Sequence, residues 1–158
     1  MDAQKASSDL IDLYQLLGDS IKGYNEAAEK VKTPELAFFL ANIATERRTL
    51  RHELGEETRR LRPDADLTDG TLKGDVHRAW ISIRESLSSS SDNAVLQECA
   101  RGEDYLAERF KNVMEDEDTP AEYVPMLREQ GTKVAMTKAN IIELGKSIKY
   151  NNDQVHSS

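Results

Sequence analysis

The sequence predicts an all-α protein: a bundle of four long helices paired into two antiparallel hairpins, with a short fifth helix in the connection between the pairs. Three observations predict it. Apolar residues recur at alternating steps of three and four over most of the 158 residues, the period of a helix that buries one face. The chain is 38% hydrophobic and 32% charged but only 6% aromatic, a mix that suits helices with solvated outer faces better than a sheet. Thr-Pro pairs at 33–34 and 119–120 interrupt the pattern only briefly, and short links hold consecutive helices antiparallel.

The first long helix is expected over about 8–32, from Ser8, with Leu10, Leu13, Leu17, Ile21, Tyr24, Ala28 and Val31 on one stripe. The second is expected over 34–62. Thr33 can cap it, Pro34 is tolerated at its first position, and Glu35 complements the helix dipole. Its stripe reads Leu36, Phe39, Ile43, Glu46, Leu50, Leu54 and Leu61, and Pro63 stops it.

Turn formers fill 63–70, and a shorter helix is expected over about 71–87 with Val76, Trp80, Ile83 and Leu87. The polar run SSSSDN at 88–93 ends that segment, and Asp92 offers a cap. The third long helix, about 93–116, carries Val95, Cys99, Gly102, Leu106, Phe110 and Val113. A capping box at Thr119-Pro120-Ala121-Glu122 starts the fourth. It is expected over 120–150, through Val124, Leu127, Gly131, Val134, Lys138, Ile141, Gly145 and Ile148, with 151–158 as a frayed tail.

Between the hairpins the chain is long enough to run the length of the bundle, at ~1.5 Å per helical residue. Two hairpins joined by one long crossover make the connectivity of ferritin-like bundles. One domain, residues 1–150, accounts for the chain.

A formal charge of −8 repels phosphate backbones and anionic lipid, which argues against nucleic acid and membrane as partners. No stretch approaches the roughly 20 apolar residues of a membrane span, and MDAQKASSDL lacks the apolar core of a secretion signal. The single cysteine, Cys99, forms no internal disulfide and fits a reducing, cytoplasmic setting.

Three runs in order, GYNEAAEKVKTPELAFFL at 23–40, GTLKGDVHRAW at 70–80 and LQECARGEDYLAERF at 96–110, resemble a family of bacterial ferritin-like four-helix-bundle proteins classed as a domain of unknown function. The resemblance runs from about Leu10 to Leu144. It implies the ferritin-like fold, a cytoplasmic bacterial protein and a loose association with stress responses, and it supplies no activity. Members often carry a histidine in the middle of the last helix, where this sequence has Lys138.

A two-metal carboxylate centre in such a bundle takes a glutamate from each of two helices and Glu-x-x-His from each of the others. The spacing of three stacks both side chains on one face. In ERRTLRHE, His52 follows Glu46 by six positions, roughly 120° around the helix. Glu53 does share a side with Glu46, but ~10 Å along the axis. Glu98, Glu129 and Glu143 are followed at the third position by Arg101, Thr132 and Lys146, and Glu-x-x-His occurs nowhere. No metal or cofactor is therefore expected. The alternative is a carboxylate-only site for iron or manganese, drawn from Glu46, Glu53, Glu98 and Glu103.

Glu46 interrupts an apolar stripe, and two readings account for it. It reaches solvent at the stripe's edge, or it joins Glu103 and Lys138 in a buried polar cluster, with the ammonium where a metal would otherwise sit. Cys99 reads as a small core residue rather than a redox thiol. Trp80 is read as plugging the fifth helix onto the bundle, with His77 one turn away. Gly102, Gly131 and Gly145 permit close helix approach or make room for Phe39, Tyr105 or Phe110, or else line a small cavity. Arg47, Arg48 and Arg51 form a basic patch, either ion-paired against Glu115–Asp118 or half of a homodimer contact.

Nucleophilic triads, phosphate-binding loops and zinc-finger spacings are absent. The sequence is read as a non-enzymatic ferritin-like protein acting through its surface or as a homo-oligomer. The alternative is a carboxylate-rich metal-binding or iron-related protein with a remodelled centre.

Overall fold

A computed structural model describes residues 2–67 and 91–157, with side chains as far as Ile148. Among the described residues all regular structure is helical. Four long helices are present: α1 (Ala3–Lys30), α2 (Pro34–Leu61), α3 (Asp92–Glu115) and α4 (Val124–Ser157). A 3₁₀ turn, Ala121–Tyr123, leads into α4. The helix expected over 71–87, with His77 and Trp80, lies outside the described residues.

Contacts along each pair fix the directions. Arg51 of α2 donates to the Tyr14 carbonyl of α1 (3.0 Å), while Arg47, one turn earlier, lies over the Tyr24 ring. α1 and α2 are thus antiparallel. Arg109 near the end of α3 reaches Asp9 and Asp12 near the start of α1 (3.3 and 3.2 Å), and the end of α1 meets Asp92, so α1 and α3 are antiparallel too. Phe110 lies beside Gly131 and Leu96 beside Gly145, which sets α4 antiparallel to α3. Gln130 of α4 donates to the Leu50 carbonyl of α2 (3.1 Å). The parallel pair, α2 and α3, faces each other across the interior.

The helix ends differ from expectation in instructive ways. α1 starts at Ala3 because Asp2 caps it, accepting from the Lys5 amide (3.1 Å). Ser7 is already inside the helix and buried, its hydroxyl donating to Gln4. Thr33 stands at the α2 cap position but makes no side-chain cap bond. Its hydroxyl donates instead to Asp92 (2.7 Å), which also accepts from the Lys32 and Thr33 amides (2.8 and 3.1 Å). Ser91, rather than Asp92, caps α3, accepting from Ala94 (3.2 Å).

The capping box at 119–122 does not form. The Thr119 hydroxyl donates backwards to the Val113 carbonyl (2.6 Å), satisfying an orphan acceptor at the end of α3. At its other end α4 continues to Ser157, past the fraying expected at 151; no proline or glycine follows Gly145 to stop it.

Two apolar clusters fill the core. One gathers Tyr24, Leu36, Leu40, Ile43, Cys99 and Ile141. The other gathers Leu10, Leu13, Leu17, Leu50, Leu54, Leu106, Phe110, Leu127 and Val134. Each fully buried leucine contributes about 1.5–3 kcal/mol. Leu61 packs against the second cluster, whereas Asp92 holds the turn beside the first. The chain leaves the bundle at one end and re-enters at the other. After α2 it folds back far enough for Leu67 to pack near Gly55 and Tyr14, on the α1–α2 side.

Candidate functional site

The two apolar clusters are separated by a polar layer to which each helix contributes one buried residue: Ser20, Arg47, Glu103 and Thr137. The helical period places them there. In α1 the layer falls between Leu17 and Tyr24, in α2 between Ile43 and Leu50, in α3 between Cys99 and Leu106, and in α4 between Val134 and Ile141. Each is a step of three or four from its apolar neighbours, so each continues the buried stripe of its own helix.

Arg47 and Glu103 form the centre of the layer. Arg47 Nη1 donates to Glu103 Oε1 at 2.8 Å and Nη2 to Oε2 at 2.5 Å, and both side chains are 0% exposed. This is the parallel two-bond match of guanidinium to carboxylate, the strongest arrangement open to the pair. Burial opposes the charge of Arg47, but the adjacent Glu103 carboxylate outweighs it and holds the guanidinium pKa above its ordinary value. The Tyr24 ring lies 5.7 Å from the guanidinium carbon, close enough for a cation–π contribution. Burial first, and the Glu103 charge second, push the Tyr24 phenol well above its usual range. Arg47 Nε finds no hydrogen-bond partner among the described residues.

The two hydroxyls of the layer are turned inward on their own helices. Ser20 donates to the Leu17 carbonyl (2.8 Å) and Thr137 to the Lys133 carbonyl (2.9 Å). Cys99 sits one turn from Glu103, buried, and burial pushes its thiol up to about 12, with Glu103 adding to the effect. A thiol so placed is held as S–H, a poor nucleophile and a poor metal ligand.

Of the expected polar cluster, Glu103 alone occupies its place. Glu46 is exposed, and Lys138 turns outward to bond Asp104. The residues one position away, Arg47 and Thr137, are the buried ones. α2 buries Leu36, Leu40, Ile43, Arg47, Leu50 and Leu54, an unbroken alternation of four and three. A stripe through Phe39 and Glu46 keeps the same average period one residue out of phase. α4 buries Leu127, Gln130, Val134, Thr137 and Ile141, continuing from Tyr123 of the 3₁₀ turn, again one position from the stripe through Gly131 and Lys138. The regular four-three alternation in α2 was the signal that could have identified Arg47, but arginine is rarely buried and so reads as surface.

The basic patch dissolves for the same reason. Arg47 is interior, and Arg51 lies over the Tyr14 ring (4.0 Å), leaving Arg48 as the exposed member. The acidic run at 115–118 is engaged elsewhere: Asp116 bonds Lys5, and Asp118 accepts from the Asp2 amide (3.0 Å).

The carboxylates proposed for a metal do not converge. Glu53 lines a groove between α2 and the start of α4, Glu98 pairs with Arg101 (3.6 Å), and Glu103 is committed to Arg47. Among the described residues no three His, Cys, Asp or Glu side chains stand close enough together to hold an ion. The layer thus offers one carboxylate, already neutralised, and two hydroxyls already donating. That set suits a structural lock better than a ligand shell.

Residues 5–116 match a family described as a domain of unknown function (DUF2383). The match takes in three members of the layer, Ser20, Arg47 and Glu103, and ends before α4. No curated protein and no solved structure matches the chain.

Proposed function

The chain belongs to the domain-of-unknown-function family DUF2383, and from that premise we propose that it is a ferritin-like bundle whose centre is locked by an ion pair and which works as an interaction protein rather than an oxidase. The observation that carries this reading is the paired Arg47 and Glu103, both wholly buried at mid-bundle. A two-metal centre would draw carboxylates from four helices at that height. Here one carboxylate arrives, and a guanidinium supplies the positive charge that neutralises it.

Support for the ferritin-like connectivity comes from the chain's exit and re-entry. Leu61 lies at the Val113 end of the bundle and Asp92 at the Lys32 end. With α2 and α3 parallel, the end of α2 and the start of α3 lie at opposite ends of the bundle, which is the arrangement that topology requires. No helix among the described residues is long and apolar enough to cross a membrane. A bacterial cytoplasmic setting, a stress-associated role and self-association belong to the same proposal.

The test is elemental analysis of protein purified without chelators, with melting measured in iron, manganese and zinc. Substoichiometric metal and unchanged melting are expected. Stoichiometric iron or manganese would favour the other reading, a metal-binding protein using carboxylates such as Glu46, Glu53, Glu98 and Glu103.

A further inference from the structure

The groove between α3 and α4 lies away from the α1–α2 side, where Leu67 packs. It holds two shallow apolar pockets. One, about 200 Å³, is lined by Leu96, Ala100, Ile141, Ile142 and Gly145. The other, about 220 Å³, is lined by Ala107, Met114, Gly131 and Ala135. Small residues keep the floor low, and the same helix exposes Met136 (60%) and Ile142 (40%) to water.

Among the described residues the charged side chains that line the two pockets are cations, while Asp104 and Glu108 stand outside them on α3, beside Lys111. Lys146 is the charged residue of the first pocket, and Lys111 and Arg128 are those of the second. Among the described residues no carboxylate lines either, in a chain whose net charge is −8. Among the described residues none of the three cations is in an ion pair, whereas Lys138 between the pockets is held by Asp104.

An apolar floor with cations at both ends fits an amphipathic helix that is itself acidic. A second copy of this chain is disfavoured, because a two-fold contact through this groove would set Lys111, Arg128 and Lys146 against their own kind.

We propose that the α3–α4 groove docks an acidic amphipathic helix of a partner protein. Its apolar anchors would stand about three turns apart, matching pockets ~17 Å apart along α4 at 1.5 Å per residue. Carboxylates flanking the anchors would meet Lys146 at one end and Lys111 and Arg128 at the other. This deepens the interaction reading above by naming the partner's chemistry, and it stands independently of whether the protein binds metal.

The probe is a labelled synthetic 18-residue helical peptide, with leucines anchoring three turns apart and glutamates elsewhere, beside a twin carrying lysines for the glutamates. Fluorescence anisotropy with the full chain is expected to give micromolar binding of the acidic peptide and at least tenfold weaker binding of the basic one. Lys111→Glu/Arg128→Glu, two exposed positions, should weaken the acidic peptide at least tenfold with an unchanged circular dichroism spectrum. Ala135→Arg, which obstructs a pocket without reversing the rim, should do the same. Failure of the acidic peptide to bind, equal binding of both peptides, or indifference to these changes overturns the proposal. So does sedimentation that finds a dimer abolished by the double substitution, since the occupant would then be a second copy. A metal-loaded protein that still binds the peptide would remove the ion-pair reading and leave the groove standing.

Discussion

The guanidinium of Arg47 meets the carboxylate of Glu103 through two bonds, 2.8 and 2.5 Å long, with no solvent exposure on either side chain. The pair joins α2 to α3 across the interior, and apolar clusters lie above and below it. Two charges brought so far from water recover their lost hydration only while each has the other. Such a pair need not add net stability, but losing either partner strands the other.

Arg47→Met should strand the Glu103 carboxylate and cost roughly 3–5 kcal/mol, whereas Arg47→Met/Glu103→Leu, which removes both charges, should recover most of that loss. Equilibrium urea unfolding checks it. A single variant as stable as the double one would mean that the two residues are not coupled.

Acid should loosen the bundle at the Asp92 end. Burial works against the Asp92 charge, but the bonds from the Thr33 hydroxyl and from the Lys32 and Thr33 amides outweigh it and hold its carboxyl below the usual range. With the folded pKa below the unfolded one, its contribution is complete above the unfolded value and disappears as pH falls below about 4. Asp92→Asn should therefore lower the urea midpoint at pH 7 and flatten its fall between about pH 4 and pH 2. An unchanged acid limb in the variant would show that Asp92 does not bind its proton less readily in the folded state.

Cys99 should be silent in the native protein. Buried, with its thiol pushed up to about 12, it presents almost no thiolate at neutral pH. An aromatic disulfide reagent should label it at a small fraction of the rate seen in denaturant. Native labelling as fast as that of the unfolded chain would contradict its burial.

Gly55 is required by the close passage of α1. A methyl group there would stand 2.9 Å from the Tyr14 ring and 3.5 Å from Leu67. Helix propensity favours alanine by about 1 kcal/mol, but overpacking of a stiff ring costs about 1–3. Gly55→Ala should lower melting, and Gly55→Ala/Tyr14→Leu should restore part of it. A single variant that melts higher than the parent would show that the ring moves aside freely.

Much of this molecule was legible in its sequence. Thr33-Pro34 and Pro120 mark real boundaries because proline cannot donate within a helix and fixes its own φ wherever it stands. The α3 stripe through Val95, Cys99, Gly102, Leu106, Phe110 and Val113 is buried as expected, with Leu96 and Glu103 added to it, because apolar side chains dominate it. Glu103 was one of two carboxylates, with Glu46, that the sequence offered for the centre. The second and fourth helices were harder. Their stripes pass through polar residues at mid-length, where apolar periodicity gives no vote between neighbours.

The sequence by itself determined the helices, their pairing into hairpins and the height at which the core turns polar, since periodicity and turn chemistry act locally along the chain. Which residue of each helix enters that layer was decided by tertiary structure alone. Glu46 and Arg47 are neighbours about 100° apart on one helix, and so are Thr137 and Lys138. Arg47 goes inside because Glu103 waits there with two acceptors, and Lys138 goes outside because Asp104 stands on the surface beside it. A buried charge is tolerable only with its partner in place, and that partner lies 56 residues away along the chain.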